Sequence, residues 1–142
     1  MNNESSDLVK FKKKFLRLDE RIISSDFANI ETVSGDDEQV KIGPPIKCLL
    51  IVADSRLVFF KAKWLGDYYF GLDYLKIAAT QRTTSGEESV ITISLLNLDK
   101  AYKITLSNKT ILDDFEMALQ QNNEKAEIKK GTSFEKLAAF KK

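Results

Sequence analysis

The stretch that decides the fold is LLIVADSRLVFF, residues 49–60, in which apolar side chains are interrupted only near the middle. A run of this length exceeds a typical strand, and the polar pair Asp54 and Ser55 supplies residue types that favour a tight reversal. We therefore predict a β-hairpin whose returning strand begins at Arg56. A ligand contact for Asp54 or Arg56 is the alternative interpretation. The outgoing strand should alternate between the two faces of the sheet, with Leu49, Ile51 and Ala53 on one face and Leu50 and Val52 on the other.

Alternation of apolar and polar residues recurs in SVITISL, residues 89–95, and in AYKITL, residues 101–106. A period of two predicts strands with one face on a core, and the turn residues between the two segments predict antiparallel neighbours. The apolar side chains that should share this core are Ile91, Ile93, Leu95, Tyr102, Ile104 and Leu106.

The apolar spacing becomes helical near both ends of the chain. Residues 1–19 predict an amphipathic helix with basic residues opposite an apolar face of Leu8, Phe11, Phe15 and Leu18. A second helix should begin near Thr110, which can cap it, and should end near residue 121. Residues 122–142 form a basic tail in which a short helix is predicted after Gly131. The apolar face of the second helix consists of Ile111, Leu112, Phe115, Ala118 and Leu119.

The order of these segments resembles the bacterial pleckstrin-homology-like families, particularly the YokE-like group. The segments are LDERIISS, CLLIVADSRLVFFKAKWLGDYYFGLDYLKIAATQRT, VITISL, KAYKITL and TILDDFEMAL. The resemblance covers about residues 18–120, with Glu20, Arg56, Leu57 and Ile77 at matching places. It departs at Ala53, where the family commonly has threonine.

The resemblance implies an α+β, mainly β fold. We expect a PH-like, seven-stranded antiparallel barrel or sandwich capped by a C-terminal helix, with an extra N-terminal helix. The seven strands should form two near-orthogonal sheets. The domain boundaries predicted from the sequence are 1–19 for the N-terminal helix, 20–121 for the PH-like domain and 122–142 for the tail.

Composition argues against an enzyme. The chain has no histidine and one cysteine, so it lacks imidazole bases, histidine metal ligands and a cysteine zinc site. No phosphate-binding glycine motif is present. We therefore expect no catalytic residue, cofactor or metal. Because the sequence shows neither a signal peptide nor an apolar run long enough to span a bilayer, we expect a cytoplasmic protein.

Aromatic residues crowd the segment FFKAKWLGDYYF, residues 59–70. Strict alternation would turn some of them away from the core, which favours a protein interface formed by Phe60, Trp64, Tyr68 and Tyr69. The alternative is that the N-terminal helix or the tail covers them. The sequence thus favours a non-enzymatic interaction module that binds a protein partner or itself.

The second function that the sequence suggests is a peripheral membrane adaptor. Phe11, Lys12, Lys13, Lys14 and Phe15 would contact anionic lipid through the N-terminal helix. The alternative, which we favour, is that the apolar face of this helix packs on the domain. Acidic residues dominate the loop after the first strand, which argues against a classical phosphoinositide site there. The sequence contains no recognisable nucleic-acid-binding motif, which argues against binding to DNA or RNA.

Overall fold

The computed structural model describes residues 5–35, 37 and 40–132, which form one continuous sheet and two α-helices. The sheet has the strand order β4-β3-β2-β1-β7-β6-β5-β8, and every neighbouring pair is antiparallel except β5 and β8. A short 3-10 helix, Tyr74–Lys76, joins β4 to β5. The elements are α1 (Ser6–Lys14), β1 (Ile22–Ser34), β2 (Ile46–Ala53), β3 (Arg56–Lys61), β4 (Tyr68–Asp73), β5 (Ile77–Ser85), β6 (Glu88–Leu95), β7 (Lys100–Leu106), α2 (Lys109–Asn122) and β8 (Glu127–Thr132).

The predicted hairpin is confirmed as β2 and β3, joined at Asp54 and Ser55. Leu50 and Val52 face the main core, whereas Leu49 and Ile51 face a second apolar cluster under α1. Because both faces of β2 and β3 are covered, the sequence of the hairpin is apolar almost without alternation.

The main core lies between the inner face of the sheet and α2. The predicted pairing of β6 with β7 is confirmed, with Ile91 opposite Ile104 and Ile93 opposite Tyr102. The apolar face of α2 is buried there as predicted. The capping residue is Asn108 rather than Thr110, because the Asn108 side chain accepts the backbone amide of Thr110 at 3.1 Å.

Over the described residues the sheet differs from the expected barrel, because it has eight strands and is open, with β4 and β8 at its two edges. The additional strand, β8, comes from the predicted tail, because the chain leaves α2 beside the start of β5 and pairs with the edge of that strand. Thr132, the first residue of the short helix predicted after Gly131, belongs to β8 instead. The rest of that predicted helix, residues 133–142, lies outside the described residues.

The N-terminal helix packs on the outer face of the hairpin, in agreement with the interpretation favoured above. It is shorter than residues 1–19 suggested, and Leu18 lies beyond its end in solvent. The second cluster beneath the helix consists of Leu8, Phe11, Leu49, Ile51, Val58 and Phe60.

Replacing Phe11 with alanine should loosen the docked helix. The Phe11 ring is fully buried against Phe60, so its removal should lower the free energy that holds the helix on the sheet by about 3–5 kcal/mol. Hydrogen-exchange mass spectrometry should then show faster exchange across residues 6–14, with the main sheet still protected. Val9→Ala is the matched control, since Val9 is 38% exposed on the same helix. Unchanged exchange in Phe11→Ala would contradict the packing described.

Candidate functional site

Arg56, the first residue of β3, anchors the C-terminal end of α1. Its side chain is 1% exposed, and it donates to Glu20 from Nε at 2.6 Å and from Nη2 at 2.9 Å. Nη2 also donates to the backbone oxygen of Phe15 at 3.0 Å, and Nη1 donates to the Tyr69 hydroxyl. A buried guanidinium thus finds four acceptor atoms, which come from three other segments of the chain.

Gly71 and Tyr69 of β4 complete the surroundings of this guanidinium. A Cβ added at Gly71 would lie 3.0 Å from Nη1, so glycine leaves the space that Arg56 occupies. The Tyr69 ring stacks on Phe15 with centroids 4.4 Å apart and planes 9° apart. The contacts of Arg56 and Tyr69 together fix α1 against β3 and β4.

Charge pairing explains the titration of this buried site. Burial alone would raise the pKa of Glu20, but hydrogen bonds from Arg56 and from the Arg17 amide, with the charge of Arg56, lower it below its usual value. Burial alone would lower the pKa of Arg56, and the hydrogen bonds to Glu20 and Tyr69 raise it instead. Both groups are therefore charged at neutral pH.

Asp67, in the loop between β3 and β4, binds α1 at Lys10 in the middle of the helix and at Lys14 at its end. Its Oδ1 accepts Lys10 Nζ at 2.7 Å and the amide of Lys63 at 2.9 Å, while Oδ2 accepts Lys14 Nζ at 3.4 Å. The hydrogen bonds from Lys10 and from the Lys63 amide lower the pKa of Asp67 to about 2. Asp7 of the helix also accepts the Ala62 amide at 3.3 Å. Both ends of the loop, at Ala62 and at Asp67, are therefore attached to the helix.

The tip of this loop projects two large apolar side chains into solvent. Trp64 is 94% exposed and Leu65 is 79% exposed. Gly66 turns the chain directly after them with φ 72°, a left-handed conformation that favours glycine. We call Trp64, Leu65 and the neighbouring cations Lys10, Lys14 and Lys63 the tip surface.

The structure separates the four residues of the predicted protein interface. Phe60 is fully buried beneath α1, so it is not on the surface, and Tyr68 is half-buried against the main core. Tyr69 is partly exposed but engaged with Arg56 and Phe15. Trp64 alone of the four projects freely.

The predicted membrane contacts divide in the same way. Phe11 is fully buried and Phe15 is half-buried, because both lie on the face of α1 that packs on the hairpin. Lys12 is half-buried, whereas Lys13 and Lys14 are exposed. Helical spacing indicated an apolar face but not what covers it. Helical spacing gave no indication that Leu65 and Asp67 belong to the candidate site. Their position in a predicted turn was the only feature of the sequence that pointed to them.

The tip surface lies in the most basic part of the molecule. Residues 5–21 and 56–67 carry nine basic and four acidic side chains, against 22 and 21 in the whole chain. The remainder of the chain is therefore acidic overall. Such an asymmetry orients a protein toward an anionic partner.

A second charged cluster links the sheet to α2. Arg82 joins β5 to α2 by donating to Asp113 at 2.6 Å and to Glu116 at 3.0 Å. Among the described residues, no cluster of acidic or cysteine side chains could hold a metal ion. Neither α1 nor α2 is long enough to cross a membrane, and the described residues contain no longer α-helix.

Comparisons with known proteins identify the fold. No family model and no curated protein matches the sequence. The structure is similar to the Vps36 N-terminal PH domain, with a TM-score of 0.60 and 13% identity over 75% of this chain and 84% of that one. It is also similar to the hSac2 domain from the human phosphoinositide phosphatase Sac2, with a TM-score of 0.55 and 14% identity over 87% and 85%.

A structure of the Vav1 exchange factor that includes its PH and C1 domains matches with a TM-score of 0.51 and 16% identity. The match covers 79% of this chain and 31% of that one. At such identities the likeness shows the fold alone. The chain therefore has a PH-like fold, as the sequence resemblance implied.

Removing the carboxylate of Glu20 should destabilise the protein strongly at neutral pH. Glu20→Ala leaves Arg56 buried without its counter-charge, and we expect a loss of about 3–5 kcal/mol in the free energy of unfolding. The pKa of Glu20 is lowered in the fold, so its stabilisation is present above the unfolded pKa and disappears as pH falls through the folded pKa. Urea unfolding at several pH values should show the difference from wild type shrinking in acid.

The control for Glu20→Ala is Lys41→Ala, which removes a solvent-exposed ion pair with Glu31 at 3.6 Å. That change should lower the free energy of unfolding by about 1 kcal/mol or less. Similar losses in the two variants at neutral pH would show that Arg56 does not depend on Glu20.

Proposed function

We propose that the protein is a non-catalytic PH-like binding module that attaches to an anionic membrane surface through the tip surface. The observation that carries this proposal is the exposure of Trp64 and Leu65 on a loop that Asp67 fixes beside Lys10 and Lys14. At such a surface the exposed apolar side chains would enter the boundary of the acyl chains, and the neighbouring lysines would contact the anionic headgroups.

The energetics favour this partner. Tryptophan suits the membrane interface, because its ring is apolar and its N–H can reach water or headgroups. Burying an exposed leucine contributes about 1.5–3 kcal/mol, and each nearby lysine adds roughly 1 kcal/mol at an anionic surface. Several such contributions together suffice for reversible attachment, which a single one would not give.

The attachment of the loop to α1 supports binding in a second way. Its backbone is held by Asp7 and Asp67, so docking would not have to order it. In this proposal α1 acts through its lysines and not through its apolar face, which already packs on the hairpin. The apolar residues that would contact lipid are therefore Trp64 and Leu65, and not Phe11 and Phe15 as the sequence suggested.

The absence of histidine from the sequence supports a non-catalytic role. Two surface hollows of about 300 Å³ and 480 Å³ occur away from the tip surface. The smaller is lined mainly by small and hydroxyl side chains with Lys129, and the described residues that line the two hollows include no pair of carboxylates that could act as general acid and base. The bacterial YokE-like relationship and the cytoplasmic location stay predictions.

The second candidate function is docking to a protein partner or to another copy of the chain through the same tip. An exposed tryptophan favours it, because tryptophan is enriched among residues that dominate protein interfaces. The lysines around Trp64 favour the membrane, since lysine is depleted at protein interfaces.

Co-sedimentation with liposomes tests the membrane proposal. Wild-type protein should bind vesicles of phosphatidylcholine mixed with phosphatidylserine, and added salt should weaken binding. Trp64→Ala and Leu65→Ala should each reduce affinity by about tenfold, because each removes a side chain that would be buried in lipid. Met117→Ala is the matched control, since Met117 is 62% exposed on α2.

Binding that is equal for vesicles with and without phosphatidylserine would contradict the proposal, as would absence of binding to both. In either case light scattering would decide the second candidate. A stable oligomer that dissociates on Trp64→Ser would support docking between copies through the tip.

A further inference from the structure

The last strand of the sheet stands apart from the others. β8 is the one parallel strand of the described sheet, and it pairs with β5 over six residues, from Ala79 opposite Glu127 to Thr84 opposite Thr132. The seven antiparallel strands and α2 make up the PH-like fold without it. β8 therefore covers an edge that the rest of the fold leaves bare.

The side chains of Glu127, Ile128 and Lys129 anchor β8 weakly. Ile128 is the single apolar side chain in its sequence, EIKKGT, and it is half-buried against the main core. Glu127 and Lys129 are each 67% exposed and pair with one another at 3.8 Å rather than with another strand. Among the side chains of β8 that the structure describes, Ile128 is thus the one that packs on the core, and a strand with few buried apolar contacts opens at a low cost in free energy.

Asn123, which precedes β8, is held in place by hydrogen bonds. Nδ2 of Asn123, at the end of α2, donates at 3.0 Å to the backbone oxygens of both Tyr74 and Ile77. Beyond Asn123, Glu124 and Lys125 are exposed and Ala126 is half-buried. If β8 detached, the chain would swing at residues 124–126, and Asn123 would keep α2 in place.

We propose that the edge of β5 is a strand-addition site and that β8 of a second copy of this chain can occupy it. Two copies would exchange their C-terminal strands reciprocally. The second copy fits because its β8 supplies the same six-residue ladder and the same Ile128 contact, so the exchange needs no new complementary surface. The proposal is independent of the tip surface.

Disulfide trapping between different chains tests the exchange. Gln81 and Lys129 are Cα partners across β5 and β8, at a separation that a disulfide can span. One chain would carry Gln81→Cys and the other Lys129→Cys, each with Cys48→Ala so that no other thiol remains. After mixing at high concentration and oxidation, we expect a cross-linked heterodimer on non-reducing gels.

The matched control uses Thr92→Cys in one chain and Lys103→Cys in the other, which are Cα partners in the central strands β6 and β7. These strands cannot exchange without global unfolding, so their cross-linking measures chance collisions. The Gln81 and Lys129 pair should give several-fold more heterodimer than this control. Equal yields from the two pairs would overturn the proposal, and Trp64→Ala should change neither yield.

Discussion

The structure depends on the burial of one guanidinium. Arg56 begins β3 beneath a helix, where an unpaired charge would be prohibitively expensive, so the neighbouring segments must supply its acceptors. Glu20 comes from the segment before β1, Phe15 from the end of α1 and Tyr69 from β4. One side chain thus determines where α1 ends, how the chain enters β1 and why β4 has a glycine at position 71.

The tip surface is a consequence of this arrangement. Because Arg56 holds the C-terminal end of α1 and the Ala62 amide donates to Asp7 near its N-terminal end, the helix lies along β3. Lys10 and Lys14 are thereby brought to Asp67 in the loop. The same packing uses the phenylalanines of the helix to cover the hairpin. The cations and apolar groups that remain at the surface therefore come from different segments, and only the fold places them together.

Local patterns specified most of the fold. Alternation identified β6 and β7, and the polar pair after Ala53 located the hairpin turn. β8 could not be predicted, because its charged sequence carries no apolar period and it forms on the edge that β5 offers. The site was harder to predict for a similar reason. The exposure of Phe60 depends on whether α1 covers it, which is a tertiary contact, whereas Trp64 in a turn was foreseeable as exposed.

The position of the single tryptophan has a consequence for observing the molecule. Trp64 lies in solvent at a loop tip, whereas the buried aromatic residues are phenylalanine and tyrosine. Intrinsic indole emission therefore reports the environment of the loop and hardly senses the packing of the core. A shift of this emission to shorter wavelength would signal that the indole has left water, while the fold itself would have to be followed by other spectroscopic signals.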